Sequence, residues 1–518
     1  MAQILLIVPP AVSHRTAEEN LGVGYLASTL RAAGHQVDTI DAWLEGLSAS
    51  DVVARVKQLD APLWVGFSAY MTNISSCLET IEYLREAGIV GPYVAGGYGP
   101  TFNPTQFLDA GFDVVVRGEG EASALKITEF FDSGRDDLSE ISNICFRAEG
   151  KLVETAREPL NTDLDKLPFP ARDTMHLSLA RRSAINIDSS RGCAARCLFC
   201  SIVAFQKLSQ GPTWRQRTIS HFVDELEQLY GRGARLFKVI DDSLIEPPRG
   251  VEWASRLADE IEARGLVLKL RGQIRAEYAT DEVLRELRRA GFFSFSCGIE
   301  NFSDTALFRM RKSARAKDNF SALDALKENG YIVQAGHILF DHGTTMKELH
   351  ENYAAFLRYP WIVSKGIFTE MFAAEGTPYT RLVEHIGIAS EAKGNLGNRT
   401  YTFLNKDIEV IYHGLKAWQK QMSMLYEKCV DPLSAPKLVS DTGFDSLLAI
   451  HRDFRRHDLD MFNELLGDIV ATPEEAVEFA VDRARGLRNE YAKLSDRLDR
   501  TYSAEGLVYD AQPNPFLC

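Results

Sequence analysis

The sequence lacks a disulfide framework: its eight cysteines are too few and too scattered for one. It lacks any uninterrupted apolar run of about 18 residues, so nothing in it predicts a membrane span. Its opening, Met-Ala-Gln-Ile-Leu-Leu-Ile-Val-Pro-Pro, has no charged start and no long apolar core, so no signal peptide is expected. It lacks an excess of positive charge. With Lys+Arg 58 against Asp+Glu 72 the net charge is −14, which argues against a general nucleic-acid binder. Internal repeats and low-complexity segments are missing too. These absences leave a globular chain, expected in a reducing cytoplasm. Its 518 residues suggest about three domains, and 45% apolar content is enough to bury large cores.

One group of cysteines breaks the scatter. Cys193, Cys197 and Cys200 form C-x3-C-x2-C inside Arg-Gly-Cys-Ala-Ala-Arg-Cys-Leu-Phe-Cys-Ser. Three thiolates in so short a loop suit zinc or an iron–sulfur cluster. Structural zinc wants four ligands, often as two pairs, and Cys77, Cys145, Cys297, Cys429 and Cys518 supply no second pair nearby. Three ligands on a cubane would leave one iron open for chemistry. A metal-free loop and a zinc site stay open as alternatives, although exposed clustered thiols oxidise readily. Cys145 and Cys297 sit in apolar strands and read as core.

With aromatic Phe199 ahead of the last cysteine, the triplet resembles that of the radical S-adenosylmethionine (SAM) enzymes. The resemblance implies a [4Fe–4S] cluster on Cys193, Cys197 and Cys200. It implies SAM bound to the open iron through its amino and carboxylate groups, and reductive cleavage of SAM to methionine and a 5′-deoxyadenosyl radical.

Residues 1–135 alternate strands (4–8, 35–40, 63–67, 93–95, 114–116) with helices, which predicts an α/β module with a Rossmann-like five-stranded parallel sheet. Ligands bind such sheets beyond the carboxyl ends of the strands. Those ends hold Pro9-Pro10, then Ser68 to Thr72 with Tyr70 and Met71. Next come Gly96 to Thr101, with Gly97, Tyr98 and Gly99, and Arg117 to Glu121, with Gly118, Glu119 and Gly120. Glycine there lets backbone approach a flat ligand. Taken with the downstream triplet, the module resembles the cobalamin-binding domain of the cobalamin-dependent radical SAM enzymes. That resemblance implies that Pro10, Ser68 and these glycine loops approach cobalamin. Tyr70, Met71 and Tyr98 are candidates to face the corrin, with ordinary packing as the alternative. One motif is missing. Many cobalamin proteins carry D-x-H-x-x-G, whose histidine ligates cobalt. Here His14 lacks the flanking Asp and Gly, and Asp41-Ala42-Trp43-Leu44-Glu45-Gly46 has Trp for His. The expectation is base-off cobalamin with no histidine ligand, or a module that has lost cobalamin.

Residues 136–180 read as a connector containing a small hairpin (144–147 and 151–153); 164–170 resemble the link often found between the two domains. In 181–380, strands at 184–187, 236–240, 267–270, 293–297, 332–339 and 366–371 alternate with helices such as 305–328. These six units match the partial (βα)6 barrel of the radical SAM family. Polar groups stand at the strand ends, where barrel chemistry sits: Asp241, then Gln273 and Arg275, then Gly298 and Glu300, then Ala373. With Phe199 these are the candidate SAM contacts. Glu300 suits the ammonium or diol, and Arg275 suits the carboxylate through a bidentate fork; a structural Arg–Glu pair is the alternative. His337 and Asp341 could face substrate or SAM, or be satisfied core groups. The basic run Arg309, Arg311, Lys312, Arg315, Lys317 reads as a solvated face or a dock for an acidic electron donor. Residues 381–518 read as a helical domain. Ile408, Ile411, Leu415, Trp418, Met422 and Leu425 form one apolar stripe, and Thr472-Pro473-Glu474-Glu475 starts a helix running to 498. This domain is expected to close the barrel mouth.

The resemblance implies a cobalamin-dependent radical SAM C-methyltransferase acting on a small-molecule or natural-product substrate through methylcobalamin and the adenosyl radical, fed by a flavodoxin- or ferredoxin-type donor. Alternatives are a rearrangement, cyclisation or carbon–carbon coupling on the same architecture, with or without cobalamin, and, remotely, a non-catalytic corrinoid or iron–sulfur carrier. The methylthio-transferring RNA modifiers carry a second N-terminal cysteine triplet, which is missing here.

Overall fold

A computed structural model describes residues 1–11, 18–390, 398–434, 437–467 and 469–509; His14 and Cys518 lie outside them. Strands β1 (Gln3–Val8), β2 (Gln36–Asp41), β3 (Trp64–Ser68), β4 (Tyr93–Gly96) and β5 (Val114–Val116) pair in parallel, in the order β2-β1-β3-β4-β5. Ile4, Leu6 and Val8 pack under helices Leu21–Ala32 and Glu121–Ser133, while Leu5 and Ile7 pack under Ala49–Val56 and Ile74–Glu86. Burial on both faces is why β1 is continuously apolar.

The sheet is larger than expected and mixed. Strands β6 (Ile144–Ala148) and β7 (Lys151–Glu154), expected in the connector, extend it antiparallel from β5. The Val-Val-Val strand would otherwise present an apolar edge, and Ile144, Cys145 and Phe146 cover it.

Strand β8 (Ile185–Ile187) leads to a short antiparallel pair, β9 (Ser190–Gly192) and β10 (Trp214–Gln216). Strands β11 (Leu236–Val239), β12 (Lys269–Arg275), β13 (Phe292–Glu300) and β14 (Ile332–His337) then complete a parallel sheet ordered β8-β11-β12-β13-β14. Among the described residues this sheet has five strands, not six. The expected sixth segment, 366–371, makes one isolated bridge, Phe340 to Glu370, and begins at Gly366 with φ +101°. Strand β12 starts later than expected and runs to Arg275. Arg271, Gln273 and Arg275 therefore lie within the strand, on the face opposite the core residue Ile274. The helix expected over 305–328 is two, Asp304–Arg309 and Ala316–Glu328, parted where Arg311 takes φ +56°.

Helices Asp407–Ser434, Asp441–Leu466, Pro473–Gly486 and Arg488–Glu505 follow. The stripe Ile408, Ile411, Leu415, Trp418 and Met422 is buried, as its spacing predicts. The helix capped by Thr472 stops at Gly486, and the next begins at Arg488. The tail packs on the barrel sheet and shares one apolar core with it, and its Asn398–Arg399 pairs with Ala373–Ala374. Near one end of the first helix the Tyr412 hydroxyl donates to Glu370. At the other end Arg271 donates to the Leu433 carbonyl at 2.7 Å, and Leu438 N–H to Arg182 O, just before β8, at 2.8 Å. A helix thus spans the gap left between β14 and β8.

Within this tail Asp458 accepts from Trp418 Nε1 at 2.9 Å and from the Tyr426 hydroxyl. Burial pushes its carboxyl up to about 6. A folded value above the unfolded one favours the fold below an unfolded pKa of about 4, and that contribution is lost as pH rises through the folded value. Asp458→Asn is expected to flatten this stability loss between about pH 4 and 7, worth up to ~3 kcal/mol, in thermal melts across pH.

Candidate cofactor cleft

The cysteine loop leaves β9 at Gly192, where φ is +85° and a Cβ would lie 2.0 Å from Thr213 O. Only glycine makes that turn. Gly192 N–H donates to Asp242 Oδ2 at 3.1 Å, which ties the loop to the end of β11. Cys193 and Cys197 are buried, Cys200 is partly so, and none of the three is in a disulfide. Burial pushes Cys193 up to about 12 and Cys197 to about 11, and raises Cys200 as well. Thiols so placed need a metal's charge to release their protons. Among the described residues no three His, Cys, Asp or Glu side chains gather around a single ion. Three sulfurs in one loop would suit a polynuclear cluster, whose corners are separate irons. The residues present fit that group.

The candidate SAM contacts fall around this loop. Arg275 donates to Glu246 Oε1 at 2.8 Å, to Glu277, and to Ser313 Oγ at 3.1 Å; Glu246 in turn lies 3.4 Å from Cys193 Sγ. Its fork is thus occupied by carboxylates of the chain. Glu300 sits at φ +61° on a register shift between β13 and β14 and pairs with Lys312 at 3.3 Å. Gly298 and Gly336 leave room for it: a Cβ at either would stand 2.9 or 3.3 Å from its carboxylate oxygens. Gln273 is exposed in mid-strand, aligned with Ser296. Phe199 packs against the small apolar cluster that holds the buried Ala373. Asp241 is fully buried under the site, accepting from Ser189 N–H at 2.6 Å, Ser190 Oγ at 2.6 Å and Arg249 at 3.4 Å. Its neighbour Asp242, held up to about 6 by burial, is the one that faces open space.

That space is a cavity of about 450 Å³ between the N-terminal sheet and the cysteine loop. Of the residues expected near cobalamin, Ser68, Gly97, Gly118, Glu119 and Gly120 line it. Pro10, Tyr70, Met71, Tyr98 and Gly99 do not. Pro10 accepts a bond from Ser76, and Gly99 lies against Ile74. Tyr98 stacks on Phe205 and donates its hydroxyl to Glu375 O at 3.1 Å, which is the ordinary packing held open for it. The barrel side of the cavity is Asp188, Arg191, Ile202, Phe205 and Asp242. Its inner end is an apolar slot along Leu26, Trp64, Val94, Ala124 and Ile127. These residues look like plain core in a sequence; only the fold shows that they line space. A flat ligand with a glycine-approachable rim and an apolar appendage fits this cradle, as cobalamin would. Gly97 is the sharpest point of the rim. At φ +97° its Cβ would meet Ala69 O at 2.6 Å. Gly97→Ala is expected to lower corrinoid uptake ~10-fold or more while circular dichroism stays unchanged.

Charged links hold the two walls together. Arg215 grips Glu119 at 2.6 and 2.9 Å, Arg191 grips Glu121 at 2.7 Å, and Tyr25 donates to Asp188 at 2.6 Å. His337 and Asp341 are satisfied elsewhere. His337 bonds Asn352 at 3.0 Å and Thr369 at 3.3 Å, and burial lowers it to about 4; Asp341 pairs with Arg309 at 3.0 Å.

Comparison with known proteins agrees with this geometry. Residues 11–127 match the B12 binding domain and residues 187–355 the radical SAM superfamily. The chain belongs to the cobalamin-dependent radical SAM enzymes. An uncharacterized methyltransferase of Pyrococcus horikoshii is 26% identical over 415 residues, 78% of this chain and 87% of that protein. The anaerobic magnesium-protoporphyrin IX monomethyl ester cyclase of Synechocystis sp. is 27% identical over 344 residues, 64% of this chain and 67% of its own. The fold of the cobalamin-dependent S-adenosylmethionine radical enzyme OxsB covers 98% of this chain and 84% of its own, with a TM-score of 0.77 at 17% identity.

Proposed function

We propose that this protein is a C-methyltransferase that methylates an unactivated carbon of a small-molecule substrate. The observation that carries the reading is the cleft itself: one cavity has the cobalamin-type glycine loops on one wall and the cysteine loop on the other. When bound, the cluster with SAM supplies a hydrogen-abstracting radical, and cobalamin supplies the methyl group. The chain's own residues arrange the meeting. Gly97, Gly118 and Gly120 let backbone come close to a flat ligand, Glu300 and Lys312 border the cysteine loop, and the Glu119–Arg215 and Glu121–Arg191 pairs hold the walls at a fixed spacing. With no histidine to offer in a D-x-H-x-x-G motif, the chain would hold cobalamin without a histidine ligand. The Pyrococcus relative, a methyltransferase by name, is similar over 78% of this chain and supports the reading.

The Synechocystis relative, a cyclase, favours a second reading: radical chemistry without methyl transfer. Anaerobically reconstituted protein, with SAM, an outside one-electron donor and deuterated SAM methyl groups, decides between them. Methyl transfer is expected to give S-adenosylhomocysteine together with 5′-deoxyadenosine, and label in the product. 5′-Deoxyadenosine alone, with no label transferred, would leave the second reading.

A further inference from the structure

We propose that the exposed face formed by Arg196, Arg311, Arg315 and Lys317 around Phe308 is the landing site of an acidic one-electron carrier protein of the flavodoxin kind. The inference rests on the radical SAM reading above, since it is the cysteine-bound cluster that would be reduced. One electron leaves the carrier and enters the cluster; no bond or proton changes in that step.

The basic run splits into two sets. Arg309 turns inward to Asp341 and Glu348, and Lys312 turns inward to Glu300 and to Gly298 O at 3.1 Å. Arg311, Arg315 and Lys317 remain exposed. Among the described residues they pair with no carboxylate. The two acids of the same stretch are committed to backbone: Asp304 accepts from Ala316 N–H and Asp318 from Arg315 N–H, both at 2.8 Å. In a chain of net charge −14, a face of unpaired cations marks a place for an acidic partner. Phe308, 85% exposed, gives the face an apolar centre within a charged rim.

The face also lies next to the cluster loop. Leu198 N–H donates to Met310 O at 3.0 Å, so the turn carrying Arg311 is bonded to the residue after Cys197. Arg196 is the exposed residue just before that cysteine. A carrier seated here would stand one backbone segment from a cluster ligand.

The test uses the reconstituted protein and purified, reduced flavodoxin as the probe. The triple variant Arg311→Glu, Arg315→Glu, Lys317→Glu is expected to raise the flavodoxin Kd ~10-fold or more and to flatten its salt dependence. Phe308→Ser is expected to weaken binding several-fold. Dithionite-driven 5′-deoxyadenosine formation should not change in either. A control that reverses the exposed Lys57, Lys151 and Lys493 should bind as wild type does. Wild-type flavodoxin affinity in the triple variant, or equal weakening in the control, overturns the proposal. Failure of wild-type protein to cleave SAM even with dithionite would instead strike the functional reading, and the binding comparison would still decide the surface.

Discussion

Alanine at any one of Cys193, Cys197 or Cys200 is expected to cut iron loading of the reconstituted protein ~10-fold or more and to abolish SAM cleavage, with secondary structure unchanged by circular dichroism. The cause is the donor count. Three sulfurs leave no spare ligand, so each loss uncovers a second corner of the cluster. The effect should be confined to the loop. Cys297 and Cys429 are more deeply buried than the triplet, yet they sit in the core, on β13 and on the helix Asp407–Ser434; alanine there should cost about 1–2 kcal/mol of stability and no iron. Loading should also follow pH with a definite sign. Burial raises all three thiols, Cys193 to about 12 and Cys197 to about 11, and coordination must remove those protons. Cluster uptake should therefore rise as pH increases, and slow below neutrality. Retained iron in a single-alanine variant, or uptake indifferent to pH, would refute this assignment.

The legible part of this protein was what local pattern encodes. Alternating strands and helices predicted β1 to β5, because strands buried on both faces are continuously apolar. The spacing of Cys193, Cys197 and Cys200 is a chain-local fact, and so is the stripe on the helix Asp407–Ser434. What pattern does not encode is the partner. The 144–154 hairpin was recognisable, but not that it would cover the edge of β5. The tail helix was recognisable, but not that it would span the gap between β14 and β8. The same limit applies at the site. The half-buried rim, with Gly97, Gly118 and Glu119, was readable from glycine at strand ends. The slot behind it was not, because Leu26, Trp64 and Ile127 are apolar residues like any others until the sheet and helices leave a gap. Arg309 and Lys312 looked like neighbours of Arg311 on one basic face. The break at Met310 to Arg315 sends them inward, and only the contacts with Glu348 and Glu300 show it.

Arg172 was unremarked in the sequence, and its removal is expected to be among the most damaging changes outside the cleft. It sits near the end of the connector, buried, with Glu19 of the N-terminal module on one side and Glu225 of the barrel on the other, the latter at 2.7 Å. Arg217 takes the second oxygen of Glu225 at 2.6 Å and the carbonyl of Asp188 at 2.7 Å. Arg172 also bonds Asn186 O at 2.8 Å, inside β8. Four charges from separate parts of the chain thus neutralise one another out of water. Arg172→Met would strand Glu19 there and leave Glu225 to Arg217 alone, at a cost of about 3–5 kcal/mol, because an uncompensated buried charge costs far more than the intact pair contributes. Arg172→Lys keeps the charge but not the fork, so it should lose less. The pH dependence separates this cause from lost packing. Burial already outweighs Arg172 and raises Glu19; without the guanidinium it rises further. A carboxyl whose folded pKa lies above its unfolded one favours the fold once it is protonated. The stability gap between Arg172→Met and wild type, read from urea midpoints, should therefore narrow as pH falls from about 8 to about 5. A gap that stays constant over that range would mean the arginine acts through its bulk and not its charge.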